Sequence, residues 1–245
     1  MKSQFQHALE VPQFRTALDY RRRLTFGIDK LDSILQLHLD DIIGIIGETR
    51  YTNALLTRLI VRSLLPHRHG GMDAKKVMVI DADNSSNPYL CVDFGRQYRM
   101  RPRTVLNKVL VTRQFTIYQL AHTILYDLPK RVHLHRPSVI VISGLLDQFI
   151  QEPYIHANEF ASLISQIVSA LRRIKDVLLI ISSRIQEEKI AVPAFPRLIE
   201  VRAKKEFDET KLNLSVYNNS KMKRVPLTEN ELNGVTADNN DGYGV

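Results

Sequence analysis

The octapeptide Gly47-Glu48-Thr49-Arg50-Tyr51-Thr52-Asn53-Ala54 stands between an apolar run, IIGII (42–46), and a helical pattern over 53–65. Strand, turn and helix in that order form the frame of a phosphate-binding loop, G-x-x-x-x-G-K-[ST]. In such a loop the glycines let backbone N–H groups wrap the phosphates. The Lys pairs with the outer phosphates, and the hydroxyl binds Mg²⁺. Here only Gly47 is in place. Thr52 stands at the second glycine, Asn53 at the lysine and Ala54 at the metal-binding hydroxyl, while Glu48 adds negative charge nearby. A second element of these sites is an apolar strand that ends in Asp and orients metal and water. The matching strand, Val139-Ile140-Val141-Ile142, ends in Ser143. Phosphate cation, metal hydroxyl and metal carboxylate are therefore missing together. Phosphoryl transfer depends on electrostatic positioning, so the expectation is no ATPase activity and neither ATP nor Mg²⁺ as a cofactor.

Other chemistries find little support. The one cysteine, Cys91, permits no internal disulfide and no Cys-based metal site. The eight His are scattered; His67/His69 and His133/His135 alternate instead of following helical ligand spacing, so no metal site is expected. Ser143 lacks the G-x-S-x-G context of a nucleophile. No apolar run approaches the roughly 20 residues of a membrane span, and no membrane association is expected. A net charge of +8 instead suggests a polyanionic partner, most often nucleic acid. Arg96, Arg99, Arg101 and Arg103 form the densest basic segment and are candidate phosphate contacts. Arg184 and Lys189 are a second pair, opposed by Glu187 and Glu188 between them. Arg172, Arg173 and Lys175 close a helical pattern, where positive charge suits the helix dipole.

These residues need a scaffold, and the chain supplies the pattern for one. Its 245 residues are 44% hydrophobic, enough for one large core. Val/Ile/Leu runs at 42–46, 76–83, 108–113, 137–143 and 177–183 alternate with helical patterns at 53–65, 88–99, 116–128 and 158–174. Continuously apolar strands separated by amphipathic helices predict an α/β fold with a mostly parallel sheet covered on both faces. Two further strands are expected near 197–203 and 211–217. The organisation reads as an N-terminal segment and linker (1–23), a core (24–233) and a tail (234–245) too poor in apolar residues to fold.

Taken in order, the segments resemble the core of the RecA-type strand-exchange recombinases, the RadA family, over about residues 12–230. RTALDYRRRLTFGIDKLDSIL is similar to that family's basic lead-in followed by Gly-x-x-x-Leu-Asp. IDADNSSNP (80–88) is similar to its Ile-Asp-Thr-Glu-Asn-Thr-Phe-Arg-Pro, which puts Asp83 at the catalytic Glu. VLVTRQFTIYQL, PSVIVISGLLDQF and VLLIISSRI match later strands, the last two leading into the family's DNA loops. The resemblance implies a RecA-like core. The departures imply a catalytically inactive paralogue: about 23 residues precede the core where the family has a helical domain, and RIQEEKIAVPAFP is shorter than the second DNA loop and lacks its glycines. The expected role is accessory to homologous recombination and DNA repair. The expected partners are a RadA-type recombinase or another paralogue, with single-stranded DNA as a further candidate. The expected location is the cytoplasm of an archaeon or the nucleus of a eukaryote. Gly47 and Asp83 keep open a nucleotide-binding protein or weak ATPase with a degenerate loop; a purely structural subunit of a repair complex is the third reading.

Phe14-Arg15-Thr16-Ala17 has the Phe-x-x-Ala form that, in RadA filaments, docks on a neighbouring protomer. The resemblance implies that Phe14 and Ala17 fill two apolar pockets of the partner while the segment extends a sheet edge. An aromatic anchor with main-chain pairing gives specific binding from little area. Phe14→Ala should weaken recombinase binding in a pull-down titration by roughly tenfold to a thousandfold, the range expected of a hot-spot aromatic. Its melting temperature should stay unchanged; a large drop would put Phe14 in the chain's own core.

Overall fold

The computed structural model describes residues 23–151, 156–184, 197–206, 209–218 and 221–234. An eight-stranded sheet organises it, in the order β10-β9-β8-β3-β7-β6-β4-β5. The strands are β3 (Ile42–Gly47), β4 (Val77–Asp81), β5 (Val109–Arg113), β6 (Val139–Ser143), β7 (Leu178–Ser183), β8 (Arg197–Glu206), β9 (Glu209–Asn218) and β10 (Lys221–Thr228). The six from β3 to β8 pair in parallel, and β9 and β10 add an antiparallel meander on the β8 side. This is the mostly parallel α/β fold that the strand-helix alternation predicts, and it agrees with the RecA-like core that the resemblance implies. A small ribbon, β1 (Arg23–Leu24) with β2 (Leu37–His38), lies outside the main sheet.

Alternation of side chains along each strand splits the core in two. Ile43, Ile45, Val79, Val141 and Ile180 face α2 (Thr49–Ser63), α3 (Pro88–Gln97) and α4 (Pro102–Lys108). Met78, Ile80, Ile140, Ile142 and Ile181 face the other helices: α5 (Ile117–His122), α6 (Leu128–His135), α7 (Leu145–Gln151) and α8 (Ala157–Arg173). Burial on both faces is why these strands read as unbroken apolar runs. The sequence pattern missed α4, α7 and β10, and it ended the helix from 116 too early: a π-helical turn, Thr123–Asp127, carries α5 straight into α6. Among the described residues no helix is long and apolar enough to cross a membrane.

Two cations on α2 tie residues 25–27 and 232–234 to this core. Arg58 is fully buried. Its guanidinium donates to the carbonyls of Phe26 (2.6 Å), Gly27 (2.7 Å), Leu232 (2.7 Å) and Gly234. One turn on, Arg62 donates to Thr25 O (2.8 Å), His69 O (3.0 Å) and the Tyr98 hydroxyl (3.0 Å). Burial draws the Arg58 pKa down from its ordinary value. The receiving turn is built for them. Asp32, at the end of the short helix α1 (Asp29–Asp32), accepts from the amides of Phe26 (2.6 Å) and Ile28 (3.1 Å). Gly27 adopts φ +65°, and a Cβ there would lie 2.2 Å from Arg62 Nη1, so both backbone and space demand glycine. The Gly-x-x-x-Leu-Asp wording therefore encodes a guanidinium cradle.

Arg58→Met keeps the aliphatic stem but leaves buried carbonyls unpaired. Each buried carbonyl left without its donor costs about 1–3 kcal/mol. Urea unfolding should show a loss of that order, whereas the exposed Arg96→Met should change stability by less than about 0.5 kcal/mol.

Candidate functional site

At the carboxyl ends of β3, β4 and β6, where a parallel α/β sheet normally carries its ligand site, α2 begins at Thr49. The amides of Tyr51 and Thr52 both donate to Glu48 O at 3.0 Å. The sequence pattern places the helix start at 53; the structure places it four residues earlier, so the octapeptide is mostly helix and not a phosphate-wrapping loop. Side chains explain the early start. Tyr51 is buried and its hydroxyl donates to Glu229 Oε1 (2.9 Å) on α9 (Glu229–Asn233), while Arg50 pairs with Glu229 Oε2 (3.2 Å). Thr52, also buried, lies within reach of the Glu48 and Thr49 carbonyls, at 3.3 and 3.2 Å. Gly47 is required for another reason: a Cβ there would sit 2.7 Å from Val201 O on β8.

The remaining site residues form a closed polar network around Asp81, which is fully buried. Its carboxylate accepts from the Ser85 amide (3.0 Å), the Ser86 amide (3.2 Å) and the Ser143 hydroxyl (3.1 Å), and it pairs with Arg113 Nε (3.3 Å). Asn53, at the lysine position, donates to Ser85 O (3.3 Å). The Ser85 hydroxyl lies 2.6 Å from Asp83 Oδ1 and 3.1 Å from Asn53 Oδ1, and its single proton goes to the charged acceptor. Burial pushes the Asp83 carboxyl above its ordinary pKa, against the hydroxyls of Ser85 and Ser143. Asn53, Asp83 and Ser143 are thus brought together, as the sequence comparison expects, but they bond to protein.

Beside the network, between α2, α3, α4 and the sheet, lies a cavity of about 200 Å³. Leu56, Val79, Cys91 and Val109 wall it, with Asn53 and Ser143 at its polar side. No charged side chain lines it. Burial pushes the Cys91 thiol up to about 11, so it stays protonated at neutral pH. These residues do not fit a Mg²⁺-nucleoside triphosphate: the α2 turn offers no lysine, the strand end no carboxylate, and the cavity no charge to neutralise phosphate.

The basic candidates divide. Arg96 is tied to Asp93 (3.1 Å). Arg184 is tied to the buried Asp147 (3.2 Å), whose Oδ1 also accepts from the Ser183 hydroxyl (2.8 Å) and the Arg184 amide (2.9 Å). Arg99, Arg101 and Arg103 are exposed and have no ion pair among the described residues. Phe14, Ala17 and Lys189 lie outside the described residues. Sequence reading missed Asp81, Arg113 and Asp147. The visible signal for the first two is an Asp ending one apolar strand and an Arg ending the next.

The parallel sheet, with helix α2 following its first long strand and a polar network at the strand ends, defines a RecA-like fold. A Rad51 family profile matches residues 21–189, well over half of the chain, and the chain belongs to the Rad51 family. No individual curated protein matches it.

Restoring the acid of the strand end should harm this chain. Ser143→Asp places a second carboxylate beside buried Asp81, and like charges in a low-dielectric site disfavour ionisation. The new acid's folded pKa lies above its unfolded value, so the penalty is absent below about pH 4 and grows as pH rises through the carboxylate range. Thermal melts should show Ser143→Asp well below wild type at neutral pH, with the gap closing in acid.

Proposed function

We propose that the chain is a non-catalytic member of the Rad51 family that serves homologous recombination and DNA repair as an accessory protein. It binds an active RadA-type recombinase or another paralogue, with single-stranded DNA as a second partner, and performs no phosphoryl transfer. The carrying observation is that helix α2 starts at Thr49 and occupies the place of the phosphate-binding loop, while Asn53 and Ser143 are engaged with Ser85 and Asp81. Family membership supports the recombination setting. The Phe-x-x-Ala segment supports the recombinase as partner, and the +8 charge supports nucleic acid.

Phosphate release from ATP should remain at background with and without single-stranded DNA. A rate above background that Asp83→Ala abolishes would overturn the inactive reading. Immobilised protein should capture the recombinase of the same cell; failure of both capture and DNA binding would leave a structural subunit.

A further inference from the structure

The end of the sheet opposite the polar network carries an unpaired cationic cleft. It forms where the C-terminus of α2 meets the turn between α3 and α4, and its volume is about 110 Å³. A water occupies roughly 30 Å³ of liquid, so a single tetrahedral anion fits. Four cations line it: Arg68, Arg99, Arg101 and Lys108. Asp73 is the one acid in its wall. None of the four has an ion pair with a carboxylate among the described residues. Some exposed arginines elsewhere pair with carboxylates, Arg50 with Glu229, Arg96 with Asp93 and Arg202 with Glu200; what sets the cleft apart is four cations lining one small concavity. Behind the cleft Arg62, buried and without a carboxylate partner, donates to the hydroxyl of Tyr98, itself a wall residue, so a fifth positive charge backs the site.

Backbone geometry adds a second observation. Arg99 has φ +57°, and its amide closes the end of α3 on Arg96 O (2.8 Å). That left-handed position after a helix favours Gly or Asn. An arginine there accepts strain, and such outliers gather where a side chain has a task. Arg99 is exposed and lines the cleft together with Arg101 and Arg68.

We propose that this cleft is a binding site for the phosphodiester backbone of a nucleic-acid strand, separate from the polar network at the strand ends. Like charges held together without counter-charges repel one another, and a phosphate relieves that repulsion while releasing counterions from the nucleic acid. The cleft has room for one phosphate, and Arg103 and Lys75, both exposed, extend the positive surface beyond it, which suits a polymer more than an isolated ion. Buried Tyr98 offers no open ring face for a base, so the contact reads charge and not sequence. This rests on the accessory reading in one respect, that nucleic acid is a partner at all.

The test compares two variants of the full chain with equal loss of charge. One is Arg68→Gln/Arg101→Gln/Lys108→Gln in the cleft; the other is Arg172→Gln/Arg173→Gln/Lys175→Gln at the end of α8. Arg99 is left alone because its positive φ would confound folding. A labelled single-stranded oligonucleotide is titrated at several salt concentrations, and melting temperature is recorded for each protein. The cleft variant should bind roughly tenfold or more weakly and lose about 0.7 of a unit of log–log salt slope for the one phosphate the cleft holds, while the α8 variant stays within about twofold of wild type. If the triple change lowers the melting temperature, Arg68→Gln/Arg101→Gln is measured in its place. Equal losses in both variants, or none in the cleft variant, would overturn the site. So would displacement of the strand by inorganic phosphate at comparable phosphate concentration, which marks a free-anion site. Recombinase capture by the cleft variant is followed in parallel: intact capture with failed cleft predictions rejects the cleft alone, whereas lost capture by wild type rejects the accessory reading.

Discussion

The buried guanidinium of Arg58 is the interaction on which the rest of the architecture depends. It lies on the central helix of one sheet face and gathers carbonyls from residues 26–27 and 232–234, more than 170 positions apart in sequence. A planar fork with five donors can satisfy several carbonyls at once, which a lysine cannot. The carbonyls compensate its desolvation with dipoles in place of a counter-charge. Each dipole is oriented by something else: the 26–28 turn by Asp32 and Gly27, and the C-terminal carbonyls by α9, itself fixed by the Thr228/Glu231 capping box. Removing any one of these leaves the cation poorly solvated, so they cohere as a unit.

The same helix sets the arrangement at the carboxyl ends of β3, β4 and β6. Anchoring α9 puts Glu229 within reach of Arg50 and Tyr51, and those contacts hold residues 49–52 as helix. A loop that wraps phosphate must leave several amides unpaired until the ligand arrives; here Glu48 takes two of them. Around Asp81 the logic repeats. A buried carboxylate needs donors, and Ser143, the two amides of 85–86 and Arg113 supply them. The polar residues at the strand ends are retained as a scaffold that joins β4, β5 and β6.

Uncompensated positive charge lies elsewhere in the chain. Arg184 and Arg96 were legible in the sequence as basic candidates, yet both are ion-paired, because Asp147 is 37 residues from Arg184 along the chain and only strand pairing between β6 and β7 brings them together. Arg99 and Arg101 look no different from Arg96 in the sequence. They lie in and beyond the turn after α3, where neither has an ion pair among the described residues, whereas Arg96 sits one helical turn from Asp93.

What the sequence determined by itself is the fold class and the residue types at positions 53, 54 and 143. Continuous apolar strands at regular spacing can only be buried between two layers of helix, and a missing lysine, hydroxyl or carboxylate is absent in any conformation. The Gly-x-x-x-Leu-Asp segment and the Asp81–Arg113 pattern were also on the page, without their meaning. Only the tertiary structure decided that meaning. Whether an arginine is a ligand for phosphate or a clamp for carbonyls depends on its solvation and on which oxygens surround it, and those neighbours come from segments remote in sequence. The start of α2, the cradle of Arg58 and the open cleft at Arg99 are all set by such long-range neighbours, which local pattern and spacing do not carry.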